Sequence, residues 1–318
     1  MILITGGAGF IGSNLVQALA ESHDVIIVDS MGSDQKWRNL QGVRIHRWFM
    51  PDQIDQALAL CPQVVIHMGA ISSTTETNAD SVLHNNFELS VRLWEYCVVH
   101  QAQFVYASSA STYGDGALGF EDHVDLIPHL KPLNLYAWSK QLFDLWVLHK
   151  VTKQQETPPQ WVGLKFFNVY GPREHHKANQ SSVILQQYKR LVMGLPPRLF
   201  KSTHASIADG EQQRDFVWVT DCVNVVTWLI QNPKVSGIYN VGSGQASSFN
   251  QVVQALCVNM NTHVQTEYVT MPDNLRSHYQ NYTCAPLLRL RQAGYTQAMT
   301  TLCDGVAQYV NWLNDHDL

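Results

Sequence analysis

Positive charge is in short supply in this 318-residue sequence. Lysine and arginine number 21 against 26 aspartates and glutamates, leaving a net charge of −5 and a pI near 6.2. The electrostatic footprint of a nucleic-acid binder or of a protein held to an anionic membrane is therefore missing. No apolar run reaches the ~20 residues needed to span a bilayer. The six cysteines (Cys61, Cys97, Cys222, Cys257, Cys284 and Cys303) are scattered, none in a C-x-x-C or other ligand spacing. That argues against a secreted disulfide framework and for reduced thiols in a cytosol. The first apolar run begins at Met1, which leaves no room for a signal peptide, so a cytoplasmic location is expected. His46, His67, His84 and His100 show no ligand spacing with a carboxylate or cysteine, and no metal is expected. Internal repeats and low-complexity tracts are also lacking.

What is present is an apolar content of 45%, ordinary for a globular chain. The length suits one large α/β domain, or a large and a small lobe. The chain opens on an apolar run, Met1 to Thr5, followed by Gly6, Gly9 and Gly12 and then by helical spacing from Asn14 to Leu19. This reads as strand, tight turn, helix. Gly6 permits the turn, Gly9 lets the backbone approach a pyrophosphate, and Gly12 lets the helix sit close to the strand. The free N–H groups at the helix start, around Phe10 and Ile11, form an anion site. A second apolar run, Asp24 to Val28, ends in Asp29. That acid lies about 20 residues past the glycines, where a ribose-binding carboxylate belongs.

Beyond Asp29 comes a polar loop, Ser30 to Asn39, with Lys36 and Arg38. A helix is expected from about Asp52 to Leu60, and a buried strand over Gln63 to His67. A long helix should run from Asp80 to His100. Strand Gln103–Ala107, helix Leu135–Lys150 and strand Trp161–Phe167 follow. Alternation of this kind means a doubly wound α/β Rossmann sheet, parallel, with right-handed crossovers. The expected division is a dinucleotide-binding domain over 1–167 and a smaller mixed α/β substrate lobe over most of 168–318, with 215–242 returning in part to the first. In the second part, a helix over Ser181–Met193, a strand from Arg214 to Val219, a helix to Ile230 capped by Thr220 or Asp221, and a strand Gly237–Gly242 are expected, with Ser248 capping a further helix. Lys201 to Gln213 reads as a polar surface excursion.

The chemical signal is Tyr136-Ala137-Trp138-Ser139-Lys140. Residues four apart share one helix face. The Lys140 ammonium is expected to lower the Tyr136 phenol from its usual value of about 10, so that a phenolate takes a proton from an alcohol as hydride leaves the same carbon. Alone the pair would be commonplace. Upstream, however, Ser108-Ser109-Ala110-Ser111-Thr112-Tyr113 closes a strand, where ligands of open α/β sheets bind. Ser109 is placed to hydrogen-bond the reacting oxygen.

With these motifs in this order the chain resembles an extended short-chain dehydrogenase/reductase, the group that works on nucleotide sugars. Further stretches narrow the resemblance: Asn168-Val169-Tyr170-Gly171-Pro172-Arg173-Glu174-His175-His176-Lys177, Met68 to Glu76 with Asn85-Asn86 beyond, Arg214 to Val217, and Leu275 to Gln280. Together they resemble the ADP-L-glycero-D-manno-heptose 6-epimerase family, over nearly the whole chain. The resemblance implies inversion at C6 of an ADP-heptose, a lipopolysaccharide-core precursor, by oxidation to a ketone and hydride return to the other face. It implies Tyr136 and Lys177 as the two acid/base residues, with Lys140 and Ser109 beside them. It implies dinucleotide contacts from Gly6, Gly9, Phe10, Ile11, Gly12, Asp29, Ser30, Lys36, Met68, Gly69, Ala70, Ile71, Ser72 and Asn85, as well as Tyr136 and Lys140. Substrate contacts carry over to Ser109, Asn168, Asn179, Gln186, Phe200, Lys201, Ser202, Thr203, Arg214 and Tyr279. A guanidinium at 214 suits a diphosphate.

The sequence departs from the family at Asn179 and Gln186, in Lys201-Ser202-Thr203 and in the longer 202–213 excursion. These departures bear on the sugar and nucleotide more than on the chemistry. Asp29 alone favours NAD. The family tends to use NADP through two lysines; Lys36 matches one, Pro51 stands at the other, and Arg38, Arg44 or Arg47 are the available substitutes. NADP is expected, with NAD as the alternative, and a homo-oligomer without nucleic-acid or membrane partners. Competing readings are an NDP-hexose 4-epimerase or 4,6-dehydratase, and a non-catalytic dinucleotide-binding module. The dehydratase lacks its acidic pair, since Gly114 follows Ser111-Thr112-Tyr113. The binding module would usually lack the Tyr136/Lys140 pair.

Overall fold

A computed structural model describes residues 1–273 and 279–316. Its centre is a seven-stranded sheet in the order β10-β6-β5-β4-β1-β2-β3. The strands are β1 (Ile2–Thr5), β2 (Val25–Val28), β3 (Arg47–Phe49), β4 (Val64–His67), β5 (Gln103–Ser109), β6 (Trp161–Phe166) and β10 (Gly237–Val241), and every pairing between them is parallel. β1, β2, β4 and β6 are buried along their whole length. Both faces of such strands must be covered, so they read as continuous apolar runs rather than alternating ones.

The period of two divides these residues between two layers. Ile2, Ile4, Ile27 and Ile66 pack with α1 (Phe10–Leu19) and α7 (Val219–Gln231). Leu3, Ile26, Val65 and Phe104 pack with α2 (Ile54–Leu58), α4 (Leu89–Val99) and α5 (Leu135–Thr152). A third core joins Tyr170, Trp218, Leu185, Leu256 and Tyr309. It lies among α6 (Val183–Val192), α8 (Phe249–Asn259), α10 (Leu302–Asp315) and a small sheet of β7 (Asn168–Tyr170), β9 (Gln213–Trp218) and β11 (Ala246–Ser248). β8 (Arg198–Phe200) pairs with β12 (Glu267–Val269). The five-residue α9 (Leu288–Gln292) completes the set used here.

The structure corrects the expectations in places. The helix expected over 80–100 is α3 (Ala79–Leu83), a π turn at His84–Glu88 and then α4. α7 has no side-chain cap; Asp221 instead accepts from the backbone and hydroxyl of Thr300. β3 was not expected. Ser248 caps α8 as expected, in a capping box with Gln251. Leu275 to His278 lie outside the described residues.

Candidate active site

The strand order reverses between β1 and β4, and the crevice beyond their carboxyl ends is where open α/β sheets bind ligands. Two turns flank it. The first leaves β1 at Gly6, which has φ +66. A Cβ on Gly6 would sit 2.6 Å from the Gly69 nitrogen of the second turn, and a Cβ on Gly12 would sit 2.0 Å from the Gly6 oxygen. Both glycines are thus required by contact between turn, helix and neighbouring strand. Gly9 starts α1 without any side-chain cap, and the first helical bond runs from the Ser13 N–H to the Gly9 oxygen. The N–H groups of Phe10, Ile11 and Gly12 therefore have no partner within the helix. Uncapped donors behind a glycine with an open flank fit a pyrophosphate.

Asp29 ends β2 and is held by the turn. Its carboxylate accepts from the Ala8 N–H at 2.9 Å, the Ser30 N–H at 2.7 Å and the Lys36 ammonium at 3.0 Å. The second turn, after β4, contains Met68, Gly69, Ala70, Ile71 and Ser72. Gly69 donates to the Thr5 hydroxyl. Asn86 grips Ile71 from both sides, accepting from its N–H at 2.8 Å and donating to its carbonyl at 3.0 Å, and also donates to Ser139 beside the Tyr136 motif. Asn85, also expected among the dinucleotide contacts, is half-buried and donates to the Ser81 carbonyl. Asn86 lies in the π turn, a feature frequent at functional sites; the sequence holds both asparagines side by side but does not say which one turns inward.

Beneath the crevice His67 is buried between Thr5, 2.6 Å from Nδ1, and Ser90, 2.9 Å from Nε2. Ser90 spends its hydroxyl proton on the Asn86 carbonyl, so Nε2 of His67 carries the ring proton. Burial, and after it the Lys140 ammonium, hold this imidazole down to about 3.

Tyr136 and Lys140 lie on α5, whose start is capped by Asn134. Ser109 ends β5, and its hydroxyl hydrogen-bonds Tyr136 and Ser111, at 2.8 Å. The expectation that Lys140 lowers the Tyr136 phenol is not met: burial raises the phenol, opposed by the Ser109 hydrogen bond. Burial also lowers the Lys140 ammonium to about 8, Asp144 opposing it. Removing both groups from water disfavours charge on either. One turn below Lys140, the wholly buried Asp144 accepts from Lys165 at 2.7 Å, Ser108 at 2.7 Å and Tyr106 at 3.0 Å. Lys165 also donates to Thr112, which donates to the Ser109 carbonyl. This buried pair ties the serine strand to α5.

Lys177 arrives from the loop after β7. It is half-buried, with its ammonium 5.5 Å from the centre of the Phe10 ring, at the first residue of α1. Burial lowers its ammonium against the opposing Glu174 carboxylate. Sequence reasoning did not single out Asn39 or Arg173 as bracing this loop, and no motif marks that role.

A third group gathers the substrate residues. The Arg214 guanidinium, itself buried, lies 4.9 Å over the Tyr279 ring, and Tyr279 meets Phe200 edge-on at 6.5 Å. Asn168 is exposed on β7. Gln186 donates to the carbonyls of Asn179 and Ser181. Lys201 and Thr203 are exposed. Ser202 accepts from His204 and donates back to it, so its side chain is spent on its own turn.

Among the described residues no cluster of histidine, cysteine or carboxylate side chains could hold a metal ion, and no helix is long and apolar enough to cross a membrane.

Fold and site together define a Rossmann-type sugar-nucleotide epimerase/dehydratase architecture, and the model of the NAD dependent epimerase/dehydratase family matches residues 2–242. An ADP-L-glycero-D-manno-heptose-6-epimerase from Nitratidesulfovibrio vulgaris is 45% identical over 98% of this chain and 97% of its own. One from Fusobacterium nucleatum is 40% identical over 100% and 99%. Among solved structures, the Helicobacter pylori ADP-L-glycero-D-manno-heptose-6-epimerase superposes with a TM-score of 0.81 at 29% identity, covering 98% of this chain and 96% of that one. The protein MoeE5 in complex with UDP-glucuronic acid and NAD superposes at 0.75 with 26% identity, over 99% of each chain. The chain belongs to the ADP-L-glycero-D-manno-heptose-6-epimerase family.

Proposed function

We propose that the protein interconverts the two C6 epimers of ADP-glycero-D-manno-heptose, as an isomerase that oxidises C6 and reduces it again on the opposite face. What supports this reading is a pair of acid/base candidates carried on separate elements: Tyr136 with Ser109 at the end of β5, and Lys177 over Phe10 at the first residue of α1. Inversion requires proton transfer in two substrate orientations. One rigid group on α5 does not serve both.

The Gly6–Gly12 and Met68–Ser72 turns would hold a nicotinamide dinucleotide, which would supply the reversible hydride acceptor. NADP is the expected form, with NAD as the alternative. Asp29, Ser30 and Lys36 would hold its adenosine ribose, and Lys140 its other ribose. Within the protein, Tyr136 in its phenolate form takes the C6 hydroxyl proton of one epimer while the C6–H bond breaks and the C=O bond forms. After the ketone presents its other face, Lys177 returns a proton to the oxygen as C6 regains its hydrogen. The reverse direction exchanges the two roles. Ser109 hydrogen-bonds the reacting oxygen. Lys177 is suited to this because burial brings its ammonium down towards the working range. Arg214 holds the diphosphate, and Tyr279 and Phe200 line the same end.

A cytoplasmic homo-oligomer belongs to the same reading. α4 and α5 place the half-buried Val98 and Trp146 around an open groove of about 470 Å³, and light scattering of the purified protein tests self-association.

The decisive experiment supplies ADP-D-glycero-D-manno-heptose to purified protein without added cofactor and follows the C6 configuration by NMR. Conversion is expected, with cofactor carried through purification. Tyr136→Phe should lose about a hundredfold or more of the rate, and Lys177→Met a comparable amount. Turnover of a UDP- or GDP-hexose instead, with the heptose untouched, would move the protein to the 4-epimerase or 4,6-dehydratase reading. Dinucleotide binding without turnover of any sugar would make it a binding module.

A further inference from the structure

The loop that carries Lys177 is tied to the glycine turn by side chains with no other evident task. Arg173 adopts φ +72, an uncommon conformation for a residue with a Cβ. From there its guanidinium spreads over the first helix and its neighbour. Nε donates to the Asn39 carbonyl at 3.0 Å, one terminal nitrogen to Asn14 Oδ1 at 3.1 Å, and the other to Gln17 Oε1 at 3.0 Å. Asn14 answers by donating to the Pro172 carbonyl at 3.0 Å. Asn39 is almost wholly buried. Its amide donates to the carbonyl of Ala8, inside the glycine turn, at 2.8 Å and lies 3.1 Å from Nδ1 of His176. Lys177 is the next residue. On the loop's other side the buried Glu174 accepts from the hydroxyl and N–H of Ser182, at 2.6 and 2.5 Å, holding the loop to the start of α6. The three bonds of Arg173 go to neutral oxygens. A partly buried guanidinium so placed gives fixed geometry rather than charge neutralisation.

We infer that Asn39 and Arg173 act as a positioning strap that couples the dinucleotide turn to Lys177, so that binding in the turn and presentation of the second acid/base group are one linked event. The inference rests on the reading of Lys177 given above. Linkage is reciprocal: whatever loosens the strap must weaken the dinucleotide as well as misplace Lys177. A merely structural role predicts something else, a general loss that does not distinguish the two faces of the sugar.

The test uses holoenzyme and starts from each C6 epimer separately. Rapid mixing reads the absorbance of reduced nicotinamide in the first oxidation, and calorimetry reads dinucleotide affinity on stripped protein. In the unaltered enzyme each epimer gives its proton to a different group. Lys177→Met should therefore slow the first oxidation of one epimer only. Arg173→Gln should slow the same epimer about tenfold or more, leave the other within about twofold, and weaken the dinucleotide about fivefold or more. Asn39→Ala, which keeps the backbone acceptor of Arg173, should show the same pattern and serves if Arg173→Gln does not fold. If Lys177→Met is one-sided but both strap variants slow the two epimers equally, or leave dinucleotide affinity unchanged, the strap is overturned while the role of Lys177 stands. If Lys177→Met is not one-sided, the two-base reading falls, and the strap with it.

Discussion

Lys36 lies 3.0 Å from Asp29 at the end of β2, and the pair is mostly shielded from water. The acid that would repel a 2′-phosphate is thereby matched by a cation from its own loop. Lys36→Met should unmask the carboxylate. We expect the affinity for NADP to fall about tenfold or more, equivalent to ~1.4 kcal/mol, and that for NAD to change by much less. Titration calorimetry with both dinucleotides reads the difference; equal losses would show that Lys36 does not discriminate between them.

Gly9 and Gly12 are predicted to fail differently. A Cβ on Gly12 meets the Gly6 oxygen at 2.0 Å, whereas a Cβ on Gly9 meets only that oxygen, at 3.1 Å. Gly12→Ala should therefore displace α1 from the turn and cost folded stability, about 2 kcal/mol or more. Gly9→Ala should stay within about 1 kcal/mol of the parent in stability yet lose dinucleotide affinity, because the new methyl group stands where the pyrophosphate approaches. Thermal melts and dinucleotide titrations of the two variants separate these effects.

Stability should fall in mild acid. The imidazoles of His67 and His176 are held down to about 3 and about 4, chiefly by burial, against ~6.5 in an unfolded chain. Between those values the unfolded chain binds more protons than the folded one. The contribution is complete above about 6.5 and is lost as pH drops, at up to ~1.4 kcal/mol per pH unit for each proton. Urea midpoints should therefore decline from pH 7 to about pH 5. His67→Gln, which keeps polar contacts for Thr5 and Ser90, should flatten the decline; an unchanged slope would show that His67 is not its source.

Arg214→Ala should raise KM about tenfold or more while lowering kcat by less, since a diphosphate clamp far from the reacting carbon contributes mostly uniform binding. Arg214→Lys should recover part of the loss but not the stacking on Tyr279. A fall confined to kcat would place Arg214 at the chemistry instead.

Much of the central sheet is legible in the sequence because β1, β2, β4 and β6 are buried on both faces and so appear as unbroken apolar runs. β3 is not, because Arg47-Trp48-Phe49 is too short to carry a pattern and is made a strand by its ladder to Ile26, Ile27 and Val28. The π turn at Asn86 is also invisible: helical spacing continues through it, and only the grip on Ile71 fixes which asparagine turns inward. Asp221 looks like a cap because it opens a helix, but Thr300, far away in sequence, claims it. The phenol of Tyr136 shows how local chemistry misleads. Spacing places Lys140 on its helix face, but it does not show the burial that raises the phenol. Asn39 and Arg173 are ordinary loop residues until the fold sets them against Ala8 and Gln17.

The outermost strand beside β6 is β10, supplied by residues 237–241, long after the substrate-side elements have begun. Until that segment is synthesised, the backbone edge of Trp161–Phe166 has no partner on that side. Such an edge invites pairing with any passing chain. A nascent polypeptide stalled or truncated before Gly237 would therefore be prone to clump, and the first domain-sized stretch cannot be harvested as a well-behaved fragment by cutting after β6.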